Sequence, residues 1–267
     1  MYKRQAQYQS PLKKDDTDIV ALGNEIHEKL GIYFMRRLKK DAAKDLPLKH
    51  ELKEKIAMPS VQKKTYTSVI NAYMNGIQPN MLVTIMNLRE VSEHPYLYDS
   101  ALTTHDINEL VSTSARLQAT IKFLDSIKEK EEKVIIFVER KETQKMLQKL
   151  CNERYGIICK IINGDTPSII KRQTRQASIN EFQAVDGFNV IIMSPVAAGM
   201  GLNVTAANHV IHYSRQWNPA KESQATDRAY RIGQTKDVYV YYPMAVKSDI
   251  KTFDEILDDL LSRKTSL

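Results

Sequence analysis

From residue 114 onward, short apolar runs alternate with segments whose apolar residues recur at helical spacing. The runs occupy residues 133–138, 159–162, 190–193, 209–213 and 238–242, and the helical segments begin at residues 114, 141 and 168. Runs of this kind are typical of buried parallel strands, whereas residues 238–242 alternate like a strand at a sheet edge. Strands separated by helices of this length predict an α/β fold with a parallel sheet flanked by helices.

The size and composition of the chain limit the classes of protein it can belong to. Its 267 residues, 42% of them hydrophobic, can bury a substantial core. No apolar run is long enough to span a bilayer and no signal-peptide pattern opens the chain, so we do not expect a secreted protein. We expect a protein of the cytoplasm or nucleoid in a bacterium, or of the nucleus in a eukaryote. The net charge of +7 suits a polyanionic partner but does not prove one.

A polar segment after the run at 209–213 has the composition of a helix from residue 220 to residue 231. Gln224, Arg228 and Arg231 are four and three positions apart, so such a helix would present them on one face. An amide and two guanidiniums beyond the end of a strand are suited to binding phosphate. A solvated helix end, whose arginines the helix dipole favours, explains the same spacing equally well.

Ligands of parallel α/β sheets bind in the loops at the carboxyl ends of the strands, which here span residues 139–141, 163–166, 194–201 and 214–218. Asn163 and Gly164 form one of these loops, and on sequence alone a simple tight turn is the better interpretation. Glycines at 199 and 201 would let the backbone approach a ligand closely. Trp217 is the only tryptophan in the chain, and core packing is its default role.

Two of these segments resemble motifs of the Swi/Snf-type remodelling ATPases. Gln-Ala-Thr-Asp-Arg-Ala-Tyr-Arg-Ile-Gly-Gln (224–234) resembles the last helicase motif of the family, and residues 201–212 with Trp217-Asn-Pro-Ala resemble the motif before it. The family consists of double-stranded-DNA translocases built from two RecA-like lobes, and this chain resembles the second lobe. The resemblance therefore implies double-stranded DNA, the first lobe and a DNA-bound protein as partners, with ATP and Mg²⁺ bound by the complete protein.

The resemblance also implies roles for individual residues. Arg228 and Arg231 would be the catalytic arginines that complete the ATP site. The other ATP-binding residues would be Gln224, Gly199, Gly201, Asn203 and Asp227. The DNA-binding residues would be Asn163, Gly164, Lys171, Arg172, Ser194 and Trp217. No metal ligand is assigned to this chain, because the family's first lobe holds the metal.

The loop at 194–201 departs from the family pattern. The family has Ser-Thr-Lys-Ala-Gly-Gly-Val-Gly, whereas this chain has Ser-Pro-Val-Ala-Ala-Gly-Met-Gly. Pro195 replaces the threonine and Val196 replaces the lysine, so a charged contact with phosphate is lost. Backbone donors near Gly199 and Gly201 would remain.

The resemblance divides the chain into four parts. Residues 1–45 would be an inter-lobe helical segment, with Arg36 and Arg37 near the cleft. Residues 46–113 would form a helical protrusion, residues 114–245 the RecA-like lobe, and residues 246–267 a terminal helix that packs back on the lobes. The chain would then begin just after a first lobe.

Two motifs of ATP hydrolysis are absent from the sequence. It contains neither a Gly-x-x-x-x-Gly-Lys-Ser/Thr loop for nucleotide phosphates nor an Asp-Glu-x-His segment for magnesium. We therefore expect no ATP hydrolysis by this chain alone. Two alternatives to a DNA translocase stay open: a lobe of an RNA helicase, and a non-catalytic basic module that binds nucleic acid or protein.

Overall fold

The computed structural model describes residues 18–33, 46–102, 105–167, 174–198 and 201–265. The chain divides into two units, of which one comprises Met1–Asp45 with Ser266–Leu267 and the other comprises Leu46–Thr265. In the first unit, helix α1 spans Ile19–Leu30 and is followed by a short 3-10 helix, Gly31–Tyr33. Arg36 and Arg37 lie outside the described residues.

The second unit is built on a six-stranded sheet in which every strand pairing is parallel. Its strands are β1 (Lys49–Ala57), β2 (Lys133–Phe137), β3 (Lys160–Ile162), β4 (Asn189–Met193), β5 (His209–His212) and β6 (Val238–Val246). Their order across the sheet is β1-β6-β5-β2-β4-β3. The predicted α/β fold with a parallel, helix-flanked sheet is confirmed.

Helices precede, connect and follow these strands. In the second unit they are α2 (Ser60–Met74), α3 (Met81–Glu93), α4 (Pro95–Tyr98), α5 (Ile107–Thr113), α6 (Ala115–Glu129), α7 (Lys141–Tyr155), α8 (Arg175–Ala184), α9 (Pro195–Ala198), α10 (Pro219–Thr226) and α11 (Phe253–Thr265). No described helix is long and apolar enough to cross a membrane.

Strand β1 was not predicted from the sequence, because residues 46–113 were all assigned to the helical protrusion. It lies at the edge of the sheet, and β6, predicted to be an edge strand, is interior between β1 and β5. The two strands pair from Lys49 opposite Val238 to Ala57 opposite Val246. Five of the nine residues of β1 are charged, so it has no apolar run to reveal it. Charged residues are common on edge strands, because they discourage pairing with other chains.

The core covers both faces of the sheet. On one face, the side chains of Val134 and Ile136 pack with residues of α6 and α7. On the other face, Ile135 and Phe137 pack with residues of α8 and α10. Strand β2 is thus buried on both sides, as its continuous apolar run predicts.

The terminal helix α11 is packed on the second unit itself. Its apolar residues Phe253, Leu257 and Leu261 contact Ile85 and Leu88 of α3. The apolar face of α11 is therefore covered within the described residues of this unit.

Candidate nucleotide and nucleic-acid site

The arginine-bearing segment is not the continuous helix predicted from residue 220 to residue 231. Helix α10 ends at Thr226, and the chain continues through successive tight turns to Gly233. Arg228 donates its backbone N–H to the carbonyl of Ala225, three residues earlier. We call residues 227–233 the arginine turn.

Because of this turn, the predicted common face of Gln224, Arg228 and Arg231 does not exist. Gln224 is exposed on α10, Arg228 is buried with 7% of its surface accessible, and Arg231 is exposed again. The two arginines are instead brought together by a different segment. Arg231 Nη1 donates to Asn203 Oδ1 at 2.6 Å. Arg228 Nη1 lies 3.5 Å from the carbonyl oxygen of Leu202, and the Arg228 carbonyl accepts from Val204 N at 3.1 Å.

Arg228 is a buried cation without a counter-ion in the described part of the chain. Its Nε is buried and has no hydrogen-bond acceptor among these residues, and no ion pair joins its guanidinium to a described carboxylate. Burial lowers the pKa of Arg228, the neighbouring Arg231 lowers it further, and Asp227 acts in the opposite sense. Such a guanidinium is electrostatically suited to an anion that comes from outside the lobe.

Gln234 holds the arginine turn against the segment before β5, a role that sequence reasoning missed. Its buried Nε2 donates to the carbonyls of Thr205 at 3.1 Å, Ala207 at 2.9 Å and Ala229 at 3.3 Å. Its Oε1 accepts from the backbone N–H groups of the next two residues, each at 3.0 Å. Gly233 precedes it with φ +100°, a conformation that favours glycine. The Gly233–Gln234 pair at the end of the motif was the sequence feature that could have indicated this role.

The turn after β3 is organised by the side chain of Asn163. Asn163 Nδ2 donates to Gln144 Oε1 at 2.7 Å, and Asn163 Oδ1 accepts from Asp165 N at 2.9 Å. This side chain therefore shapes the turn. Gly164 has no positive φ, and a Cβ added there would meet no atom within 4 Å. The described fold thus leaves the space beside Gly164 open to an external group.

Ser194 follows β4 and caps the short helix α9. Its Oγ accepts from Ala197 N at 3.1 Å, while its own N–H donates to Ile162 O at 2.8 Å. Val196, which replaces the family's lysine, has 73% of its surface exposed. An apolar side chain therefore faces solvent where the family pattern has a cation.

Trp217, in the loop after β5, is not a core residue. It is 42% exposed and makes an edge contact with the ring of Phe253 on α11, with centroids 5.5 Å apart. The loops that contain Asn163, Ser194 and Trp217 all follow the carboxyl ends of strands, so they open on one edge of the sheet. Lys171, Arg172 and Gly199 lie outside the described residues, and Gly201 has φ +72° with open space around its Cα.

Comparison with known proteins gives three kinds of match. Residues 115–233 match the family model described as the helicase conserved C-terminal domain. The Sulfolobus solfataricus SWI2/SNF2 ATPase core in complex with dsDNA has a TM-score of 0.66 at 27% identity, and the match covers 98% of this chain and 54% of that one.

Curated relatives are similar over most of this chain. Zorya protein ZorD of Escherichia coli O139:H28 is 43% identical over 249 residues, which is 87% of this chain and 22% of the relative. The putative ATP-dependent helicase/translocase YwqA of Bacillus subtilis is 32% identical over 97% of this chain, and the match covers 28% of YwqA. ISWI chromatin-remodeling complex ATPase ISW1 of Saccharomyces cerevisiae is 31% identical over 88% of this chain, with 21% of ISW1 covered.

The parallel sheet and the family match define a RecA-like helicase C-terminal lobe. Its relatives and the SWI2/SNF2 structures support a C-terminal lobe of the Swi/Snf type. The chain spans 21% to 28% of the length of the three curated relatives named above.

Proposed function

We propose that this chain is the second motor lobe of an ATP-dependent double-stranded-DNA translocase. In this proposal Arg228 and Arg231 act as arginine fingers on the nucleotide, and the loops at the carboxyl edge of the sheet contact the DNA backbone. The four-part division of the chain at residues 45, 113 and 245 belongs to the same proposal. The observation that carries it is the buried guanidinium of Arg228, which has no counter-ion among the described residues.

Comparison with a second buried arginine supports the proposal that Arg228 binds a ligand. Arg116 is also buried, but it pairs with Asp254 and lies 3.9 Å from Glu93. An unpaired buried charge destabilises a fold, and charges of this kind occur preferentially at functional sites. During phosphoryl transfer, charge builds on the transferred group, so a positioned guanidinium stabilises the transition state more than the ground state.

The nucleotide and its magnesium would be held mostly by the rest of the complete protein. Bound magnesium neutralises phosphate charge during the transfer. Among the residues that the structure describes, no group of three or more His, Cys, Asp or Glu side chains could hold a metal ion. The contribution of this chain would be two guanidiniums, with the exposed Gln224 and Asn203 and the half-buried Asp227 on the two helicase motifs.

For the DNA side of the proposal, the support is the open space beside Gly164 and the net charge of +7. A glycine that the fold does not require allows a phosphate to approach the backbone closely. One of the structural relatives is an ATPase core in complex with dsDNA, which is a property of that protein.

The test is steady-state ATPase measurement on the complete protein that contains this chain. Arg228→Ala and Arg231→Ala should each lower DNA-stimulated turnover by roughly a hundredfold or more. Nucleotide-analogue binding by the same variants should change far less, because other groups make most ground-state contacts. Near-normal turnover in both variants would remove these residues from the site.

The same assay separates the alternatives. A double-stranded-DNA translocase is stimulated by duplex DNA, whereas an RNA helicase responds to RNA, because the two read different groove shapes and 2′-hydroxyl groups. Stimulation by single-stranded RNA alone would favour the RNA helicase lobe. A complete absence of ATPase activity in the full protein would favour a non-catalytic binding module.

A further inference from the structure

Arg215, in the loop after β5, joins four elements of the lobe although no motif pointed to it. We propose that Arg215 is a positioning residue that sets the place of α10 and, through α10, of the arginine turn. The inference rests on the proposed function, since it concerns how this lobe presents Arg228 and Arg231. It is carried by the contacts that Arg215 makes on each side.

On the side of α10, the planar guanidinium of Arg215 donates hydrogen bonds to both carboxylate oxygens of Glu222. Its Nε lies 3.0 Å and 2.8 Å from the two carboxylate oxygens of Glu222, and its Nη2 lies 2.8 Å from Oε1. The backbone N–H of Gln216 adds a fourth contact, at 3.1 Å from Oε2. The two side chains are only 12% and 8% exposed, so the pair is largely shielded from water. Burial alone would raise the pKa of Glu222, but the hydrogen bonds and charge of Arg215, the charge of His212 and the backbone N–H of Gln216 together lower that pKa.

Away from α10, Arg215 is fixed to the rest of the lobe. Its Nη1 donates to Asp258 of α11 at 3.0 Å, and its guanidinium lies 4.0 Å from the centroid of the Tyr242 ring on β6. Its carbonyl oxygen is 3.4 Å from Nη2 of Arg89 on α3, and the same Nη2 pairs with Glu139 in the loop after β2. Arg215 therefore connects α10 to the sheet, to the terminal helix and to the protrusion helix α3.

Helix α10 depends on such an anchor because it is only eight residues long. Its first turn is capped by Asn218, and its last residue, Thr226, is held by His212 at 2.8 Å. Glu222 lies midway between these two ends and has Arg215 as its only ion-pair partner among the described residues. Arg228 follows the end of α10 by two residues, so a displacement of the helix carries the guanidinium with it. A misplacement of about 1 Å at a catalytic group can cost about a hundredfold in rate.

A lysine at position 215 would keep the charge but not the geometry. An ammonium cannot form the fork to both oxygens of Glu222 and reach Asp258 at the same time. Arg215→Lys is therefore the informative variant. Lys53→Met is the matched control, because Lys53 also pairs with Asp258, at 2.8 Å, and has no contact with α10 among the hydrogen bonds and ion pairs of the described residues.

The first measurement is amide hydrogen exchange on the 267-residue chain. Arg215→Lys should accelerate exchange in residues 219–231 by about tenfold or more, while β2 and β4 keep the exchange rates of the unmodified chain. Lys53→Met should leave both regions unchanged. Equal acceleration throughout the sheet would mean that Arg215 serves general stability, and unchanged exchange in residues 219–231 would mean that it does not hold α10. Either result overturns the proposal.

The second measurement is turnover by the complete protein. Arg215→Lys should lower kcat by about tenfold or more with KM for ATP within about twofold, since the guanidinium acts when transition-state charge develops. An unchanged kcat would contradict the positioning role. If Arg228→Ala left turnover normal, the proposed function would fail by itself, while the exchange data would still decide whether Arg215 holds α10.

Discussion

Arg231 and Asn203 join the two helicase motifs of this lobe, because Nη1 of the arginine donates to Oδ1 of the asparagine at 2.6 Å. Arg228 lies against the neighbouring Leu202 carbonyl. The two arginines thus share one supporting segment although one is buried and the other exposed. Arg231 has a neutral partner that holds it without neutralising it. Both cations therefore keep their charge for an anionic ligand.

The buried Arg228 should contribute little to the stability of the lobe. Arg228→Met removes a buried cation that has no counter-ion among the residues the structure describes, so we expect the thermal midpoint of the chain to stay the same or to rise. Arg116→Met is the matched control: it leaves the buried Asp254 without its cation and should cost about 3–5 kcal/mol. Thermal and urea unfolding measure both. A large loss of stability in Arg228→Met would show that Arg228 has a structural role.

Restoring the family's lysine should strengthen DNA binding. Val196 is 73% exposed, so Val196→Lys places a charge in solvent without disturbing the core. If this loop faces the DNA backbone, duplex affinity should rise and the slope of log K against log salt should steepen by about one. The control is Ile158→Lys, which adds the same charge at a 77% exposed site before β3, at the opposite edge of the sheet. Equal effects of the two variants would indicate a merely non-specific response to charge.

Gly164 and Gly156 should respond to alanine in opposite ways. Gly164 has open space around its Cα and no positive φ, so Gly164→Ala should leave stability unchanged but weaken duplex binding by obstructing close approach. Gly156 ends α7 with φ +70°, so Gly156→Ala should cost about 1 kcal/mol and leave duplex binding unchanged. Urea unfolding and fluorescence titration with labelled duplex measure the two effects. Unweakened binding by Gly164→Ala would argue against a phosphate beside this turn.

Two buried histidines should make the lobe sensitive to mild acid. Burial lowers the pKa of His94 to about 4 and that of His212 to about 4, from an ordinary value of 6.5. Between these values the unfolded chain binds protons that the folded chain does not, so stability is full above pH 6.5 and falls as the pH decreases towards 4. Each histidine contributes about 1.4 kcal/mol per pH unit at most.

Urea unfolding between pH 7.5 and pH 4.5 would measure this loss. The free energy of unfolding should depend less steeply on pH in His94→Gln, because one of the two buried histidines has been removed. This decrease in slope is expected whatever the variant does to absolute stability. A free energy of unfolding that stays constant from pH 6.5 to pH 4.5 would contradict the assignment.

The sequence predicted the parts of the fold that local patterns encode. The runs that became β2 and β4 contain four consecutive apolar residues, and β5 is buried along its whole length although it begins and ends with histidine. Burial on both faces of the sheet is typical of parallel strands. Strand β1 escaped detection because its order comes from backbone pairing with β6, nearly two hundred residues away in the chain. Periodicity records side-chain burial and contains no information about a partner strand that is distant in sequence.

The residues of the candidate site remain a prediction from family motifs, and their predicted arrangement on one helix face differs from the structure. Family motifs identified Arg228 and Arg231, yet the assumption of a continuous helix placed them on one face with Gln224. Helical spacing cannot reveal that the chain tightens after Thr226, because that change depends on Gln234 binding carbonyls on another segment. Arg215 was missed for a related reason: its partners lie on three different elements, and no local pattern connects them.

The position of β6 between β1 and β5 has a consequence for synthesis on the ribosome. Strand β1 is the first element of its unit to be synthesised, but its one neighbour among the described strands, β6, ends at Val246. Nascent chains that have not yet reached β6 therefore expose the backbone of β1, and its lysines and glutamates then serve to keep it from pairing with other chains. Strand β1 can enter the sheet only after β6 has been synthesised, so closure of the sheet is a late event in the folding of this unit.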